Sequence, residues 1–117
     1  MNIHDRAHEL AKVLQNSQEY QTLLATQSAL STDEAAKKMV KEFLTKKMEA
    51  EYEIMAGKPE DKAKTEKLQK MYELLAINTR ARDFLHAQIR FQQVMGDVYK
   101  IMSDAVTEGM SIFADEQ

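Results

Sequence analysis

The sequence predicts an all-α protein: two short N-terminal helices, then a long antiparallel helical hairpin, with the bundle completed by oligomerisation. Three observations predict it. Ala, Leu, Met, Lys, Glu and Gln dominate the composition, and these are good helix formers. There is no Asn-Gly or Asp-Gly hairpin turn and no β-branched run of period two. Apolar residues recur at helical spacing in segment after segment. At 117 residues, a single helical domain over 1–117 is expected.

The first helix is expected over about 3–15, where Ile3, Ala7, Leu10, Ala11 and Leu14 share a face. Asn16 or Ser17 interrupts it, and Asn16 with Glu19 fits a capping box for the next helix. That second helix, about 17–30, places Tyr20, Leu23, Leu24 and Leu30 on one side. Ser31-Thr32-Asp33-Glu34 is the clearest start signal, with Ser31 as the acceptor and Glu34 reaching back. The third helix, about 33–56, carries Ala36, Met39, Val40, Phe43, Leu44, Met48, Tyr52 and Met55 as its stripe. Gly57 stops it, and Pro59 suits the first turn of the helix that follows.

The fourth helix, about 60–76, opens with charge, and its apolar residues come late: Leu68, Met71, Tyr72, Leu75 and Ala76. Asn78-Thr79 either caps a fresh helix or lies inside a continuous one. The last helix, about 79–108, has a stripe from Ala81 and Leu85 through Met95, Tyr99 and Met102 to Val106. Phe84, Phe91, Val94, Val98, Ile101 and Ala105 widen it. Gly109 is the expected C-cap. Met110, Ile112 and Phe113 are apolar enough to dock back, and Asp115-Glu116-Gln117 is expected to fray.

Length then argues for assembly. At 1.5 Å per residue the third helix spans roughly 36 Å and the last roughly 45 Å. A compact domain of this size has a radius of gyration of only about 14 Å. Segments 33–56 and 60–108 are expected to pair about Gly57-Lys58-Pro59, and one short chain cannot cover their far ends. A homodimer or higher oligomer follows, with Phe84, Phe91, Met95, Val98 and Met102 as its surface. Gly96 inside the last helix suits a close helix crossing. The seven methionines after Met1 are expected in the core, a partner groove being their alternative use.

The charge is uneven. The net value is −3, which argues against a dedicated nucleic-acid binder. Residues 34–47 are lysine-rich, while 97–117 are acidic. Lys37, Lys38, Lys41, Arg80 and Arg82 form a candidate basic face for RNA; their ordinary use is solvation and pairing with acids such as Glu73 and Asp83.

Signals for catalysis or metal binding are weak. Without cysteine there is no disulfide, thiolate zinc site, iron–sulfur cluster or cysteine nucleophile. His4 and His8 are four apart but lack an HExxH motif and a third ligand nearby. Asp83 and His86 are three apart, yet no Glu-x-x-His motif of a di-metal bundle occurs. Glu49 and Glu53 share a face, where solvation or pairing with Lys46 or Lys47 is expected. No phosphate loop, nucleophile elbow or triad is present. The expectation is therefore no enzyme, no cofactor and no metal. The N-terminus lacks a signal-peptide core and no run nears the ~20 apolar residues of a membrane span. A cytoplasmic protein away from membranes is expected, with itself and another cytosolic protein as partners.

The residues Leu10-Ala11, Leu14, Ser17 and Tyr20, then Asp33-Glu34-Ala35 and Phe43, then Ile77-Asn78, Phe84-Leu85-His86-Ala87-Gln88 and Phe91 resemble the YlbF/YmcA-like family, in particular its YheA branch. The resemblance spans nearly the whole chain. It implies a cytosolic, helical, oligomeric bacterial protein without known enzymatic activity. It also implies relatives that act in a protein complex influencing competence, sporulation, biofilm formation and RNA processing. The YheA branch itself has no assigned role, and the family supplies no catalytic residue. Its pattern carries Glu where this chain has Gln88, which weakens any role for a carboxylate there.

Overall fold

The computed structural model describes residues 2–112; Phe113 and Asp115-Glu116-Gln117 lie outside the described residues. The helices among them are α1 (Ile3–Gln15), α2 (Gln18–Leu30), α3 (Glu34–Met55), α4 (Lys62–Ile77), α5 (Thr79–Ala105) and the single turn α6 (Thr107–Met110). The all-α class therefore holds.

Side-chain caps set most of the starts. Ser17, not Asn16, caps α2 by accepting from the Tyr20 N–H at 3.2 Å. Asn16 instead ends α1. Asp33, not Ser31, caps α3 by accepting from the Ala36 N–H at 3.0 Å. The Ser31 hydroxyl is turned back, donating to the Gln27 carbonyl at 2.9 Å. A carboxylate facing two or three open N–H groups is the better acceptor, and Asp33 stands two residues nearer to them.

Gly57 ends the α3 region at φ +89°, the left-handed region glycine enters without a Cβ penalty. Pro59 lies ahead of α4, not in its first turn. The helix begins at Lys62 because Asp61 accepts from the N–H groups of Ala63 and Lys64. At the far end α5 stops at Ala105, and Gly109 falls inside the separate turn α6 instead of capping α5.

Asn78 decides the architecture. Its backbone is extended at φ −85°, ψ 115°, so α4 and α5 are separate helices. Its side-chain oxygen accepts from the Ala81 N–H at 3.1 Å and so caps α5. Its amide Nδ2 donates to Asp33 Oδ2 at 3.3 Å, across 45 residues of chain. Two helix starts are thereby pinned together at one elbow. The hairpin about Gly57 forms, but its returning limb ends at Ile77. From the elbow α3 and α4 run out as one arm, while α5 leaves as the other arm and takes α2 as its main neighbour.

The core sits at that elbow. Leu30, Ala36, Val40, Phe43, Leu75, Ala81 and Leu85 are buried together, with Leu44, Leu68, Met71, Tyr72 and Phe84 packed around them. Leu75 is 1% exposed. Phe43 and Tyr72 meet across the α3/α4 arm with ring centroids 6.0 Å apart, and Tyr20 and Phe91 meet across the α2/α5 arm at 5.1 Å.

Candidate interaction surface

Both arms lose their cover with distance from the elbow. In α3 the apolar stripe continues past Phe43 to Met48, Tyr52 and Met55, all exposed. The start of α4, which lies opposite, is Lys62, Ala63, Lys64, Thr65, Glu66 and Lys67 and has no large apolar residue to lay on them. The second arm has the same defect in stronger form. α5 has 27 residues and α2 has 13, so roughly 40 Å of helix faces a neighbour of roughly 20 Å. Tyr20 on Phe91 is near the last rung. Beyond it Met95, Tyr99, Ile101, Met102 and Val106 are exposed.

α1 does not fill that gap. Among the described residues it packs against α2 alone and buries no residue fully. Ile3, Ala7 and Ala11 are exposed, and only Leu10 and Leu14 are half covered. The chain thus ends one arm in an uncovered helix and carries a separate amphipathic helix with an open face.

The shape measures the shortfall. The Cα extents are 47 × 39 × 15 Å, and the thin dimension is about two packed helices. The radius of gyration is 18.3 Å, well above the value of about 14 Å for a compact chain of this length. The exposed area is 9551 Å², while a compact protein of 13.4 kDa exposes about 6,500 Å².

Of the surface expected from the sequence, Met95 and Met102 are exposed, and Val98 is half-buried. Phe84 and Phe91 are not open: Phe84 packs on the core and Phe91 on Tyr20. Both are half-buried, as Val98 is, because α2 covers α5 as far as Phe91. The methionines depart from expectation. Met71 packs on the core, whereas Met39, Met48, Met55, Met95, Met102 and Met110 are 40–86% exposed. Gly96 also departs: a Cβ built there meets nothing within 4 Å, so no helix of this chain crosses it closely.

The basic residues gather near the elbow. Lys37, Lys38 and Lys41 line one shallow hollow on α3 with Glu34 and Ala35. Arg80 lies close enough to Asp33 for its charge to help lower that carboxyl. The larger causes are the Ala36 N–H and then the Asn78 amide. Arg82 pairs at 3.6 Å with its neighbour Asp83, within α5 and not between helices. Glu53 takes Lys64 across the hairpin at 3.0 Å in place of Lys46 or Lys47. Lys46 instead faces Lys67, and the hydrogen bond and like charge between them hold Lys67 below its ordinary 10.5.

Among the described residues no group of three or more His, Asp or Glu side chains is placed to hold a metal ion. The His4 ring Nδ1 lies 3.2 Å from Asn2 Oδ1, beside the α1 cap. No polar or charged residue is buried among the described ones, and no helix there is long and apolar enough to cross a membrane.

These features define an all-α protein built of two short arms on one elbow, with its apolar surface left open. The family model described as control of competence regulator ComK, YlbF/YmcA, matches residues 3–107, and the chain belongs to that family. It is 35% identical over 104 residues to a UPF0342 protein of Symbiobacterium thermophilum, covering 89% of this chain and 93% of the relative. A UPF0342 protein of Clostridium tetani is 33% identical over 111 residues, covering 95% and 96%.

Solved structures repeat the fold. A protein of unknown function (DUF964) from Bacillus stearothermophilus superposes with a TM-score of 0.73 at 19% identity, over 95% of this chain and 97% of that one. A chain of the crystal structure of Bacillus subtilis RicA in complex with RicF gives 0.57 at 22% identity, over 93% of this chain and 96% of that one.

Proposed function

We propose that this chain is a non-enzymatic regulatory protein of the bacterial cytoplasm, one domain that acts as a homo-oligomer through protein–protein contacts. The observation that carries this reading is the excess of about 3,000 Å² of exposed surface over a compact chain of its mass. Obligate dimers bury about 2,000–5,000 Å² summed over both chains, or about 1,000–2,500 Å² per chain, so one further copy absorbs a large part of it. Exposed thioethers on that surface suit an adaptable contact. A chain of similar fold is found in the complex of RicA with RicF, which supports a protein partner in addition to self-association.

The test is tagged chain drawn from its native lysate with and without nuclease, alongside its molar mass in solution. A discrete protein that stays bound after nuclease, and a mass above 13.4 kDa, are the expected results. One observation favours a second reading, an RNA-associated accessory role. Lys37, Lys38, Lys41 and Arg80 have no ion-pair partner among the described residues, and three of them share one hollow. With Arg82 they form the basic face of that reading. Recovery that vanishes with nuclease, and RNA binding that weakens steeply between about 50 and 200 mM salt, would favour it over the first.

A further inference from the structure

We infer that α1 of one copy covers the end of α5 in a second copy, and that the exchange is reciprocal. The inference rests on the homo-oligomer reading above and names the occupant of the open surface. It stands on three observations. α1 has apolar residues at helical spacing, Ile3, Ala7, Leu10, Ala11 and Leu14, yet buries none of them fully in its own chain. Toward the end of α5, Met95, Tyr99, Ile101, Met102 and Val106 are exposed because α2 stops short and the α1 backbone does not come close to α5. The two elements match in length: α1 has 13 residues, about 20 Å, and the open part of α5 spans about 18 Å.

A helix with an open stripe and a similar length of exposed helix, both on one chain and not packed backbone to backbone, complete each other across a two-fold axis. Each copy then gives one α1 and receives one, so the contact closes at two chains and leaves no end for further growth. Gly96 stands where α5 enters this region, and the absence of a Cβ leaves room for an incoming helix that the single chain does not use.

The full chain has no cysteine, so an introduced thiol is unique. Ala7→Cys and Met102→Cys chains are mixed, refolded together and treated with a short bis-maleimide linker. The mixed product joining position 7 to position 102 is expected to dominate. Should the chain be a dimer by light scattering that links Met102→Cys to itself, or gives no mixed product, α1 is not the occupant, while the homo-oligomer reading survives. A mass of 13.4 kDa at every concentration overturns both.

A second variant guards the result. Ile3→Asp with Ala7→Asp changes only residues exposed in the single chain, so the helical circular dichroism is expected to persist. The dimer dissociation constant is expected to rise by about tenfold or more. An unchanged constant overturns the exchange.

Discussion

The elbow and the far end of α5 are made of similar residues and differ in what surrounds them. At the elbow four helices meet, and Leu75, Leu85 and Phe43 each have neighbours on every side. Toward Val106, Tyr99 and Met102 continue the same stripe with only the short α6 turn beside them, and both stay more than half exposed. Helical periodicity marks a face that needs cover; it does not state whether the cover comes from the same chain. The difference lies in chain length available on the other side, because α2 ends before α5 does.

The comparison is broken most directly by making one truncation in both regions. Leu75→Ala leaves a cavity in the elbow and is expected to cost about 3 kcal/mol in urea unfolding. Met102→Ala, in the chain diluted below any association, is expected to stay within about 0.5 kcal/mol of the parent. Equal losses would mean that the end of α5 is covered from within the chain.

The next effect is that of Asn78→Ala, which removes the α5 cap and the tie to Asp33 together. A loss of about 1–2 kcal/mol in the same unfolding measurement is expected. Gly96→Ala acts in the opposite direction, since alanine favours the helix by about 1 kcal/mol and the added Cβ meets nothing in the chain. Thermal unfolding of the dilute chain is expected to shift upward. A fall there would place a close contact on Gly96 within the chain.

Acid gives the smallest expected effect. The Asp33 carboxyl is held below its ordinary 3.8 by the Ala36 N–H and then by the Asn78 amide. A depressed carboxylate contributes stability above its unfolded value, and the contribution is lost as pH falls below 3.8 through the lowered one. Asp33→Asn keeps an acceptor for the cap and removes the titration. Its urea midpoint is expected to vary less than the parent's between neutral pH and pH values below 3.8.

Much of this was legible in the sequence, and the misses share a cause. All the long helices, the stop at Gly57 and the late apolar residues of α4 follow from composition, periodicity and one glycine. The caps were off by one to two positions at Asn16, Ser31 and Pro59, because adjacent polar residues all satisfy the same pattern and only geometry selects one. Asn78 left a break and a continuous helix equally open. The sequence does not show that Asp33 waits to receive its amide. A thioether on an apolar stripe reads as core, whereas the stripes here run past the end of their cover and leave six methionines exposed. The cover that Tyr20 gives one side of Phe91 is not legible, because the two residues are far apart in sequence.

The tie between Asp33 and Asn78 also orders events in time. The α2/α5 arm joins residues on either side of the whole α3/α4 hairpin, so forming it first would close a loop of more than 45 residues before any shorter loop has closed. Forming the hairpin first brings Asp33 and Asn78 together, after which α2 and α5 are already neighbours at their elbow ends. Folding is then nested, with the inner arm setting and the outer arm zipping from the elbow toward Tyr20 and Phe91. In pulsed hydrogen exchange, the amides of α3 and α4 gain protection ahead of those in α2.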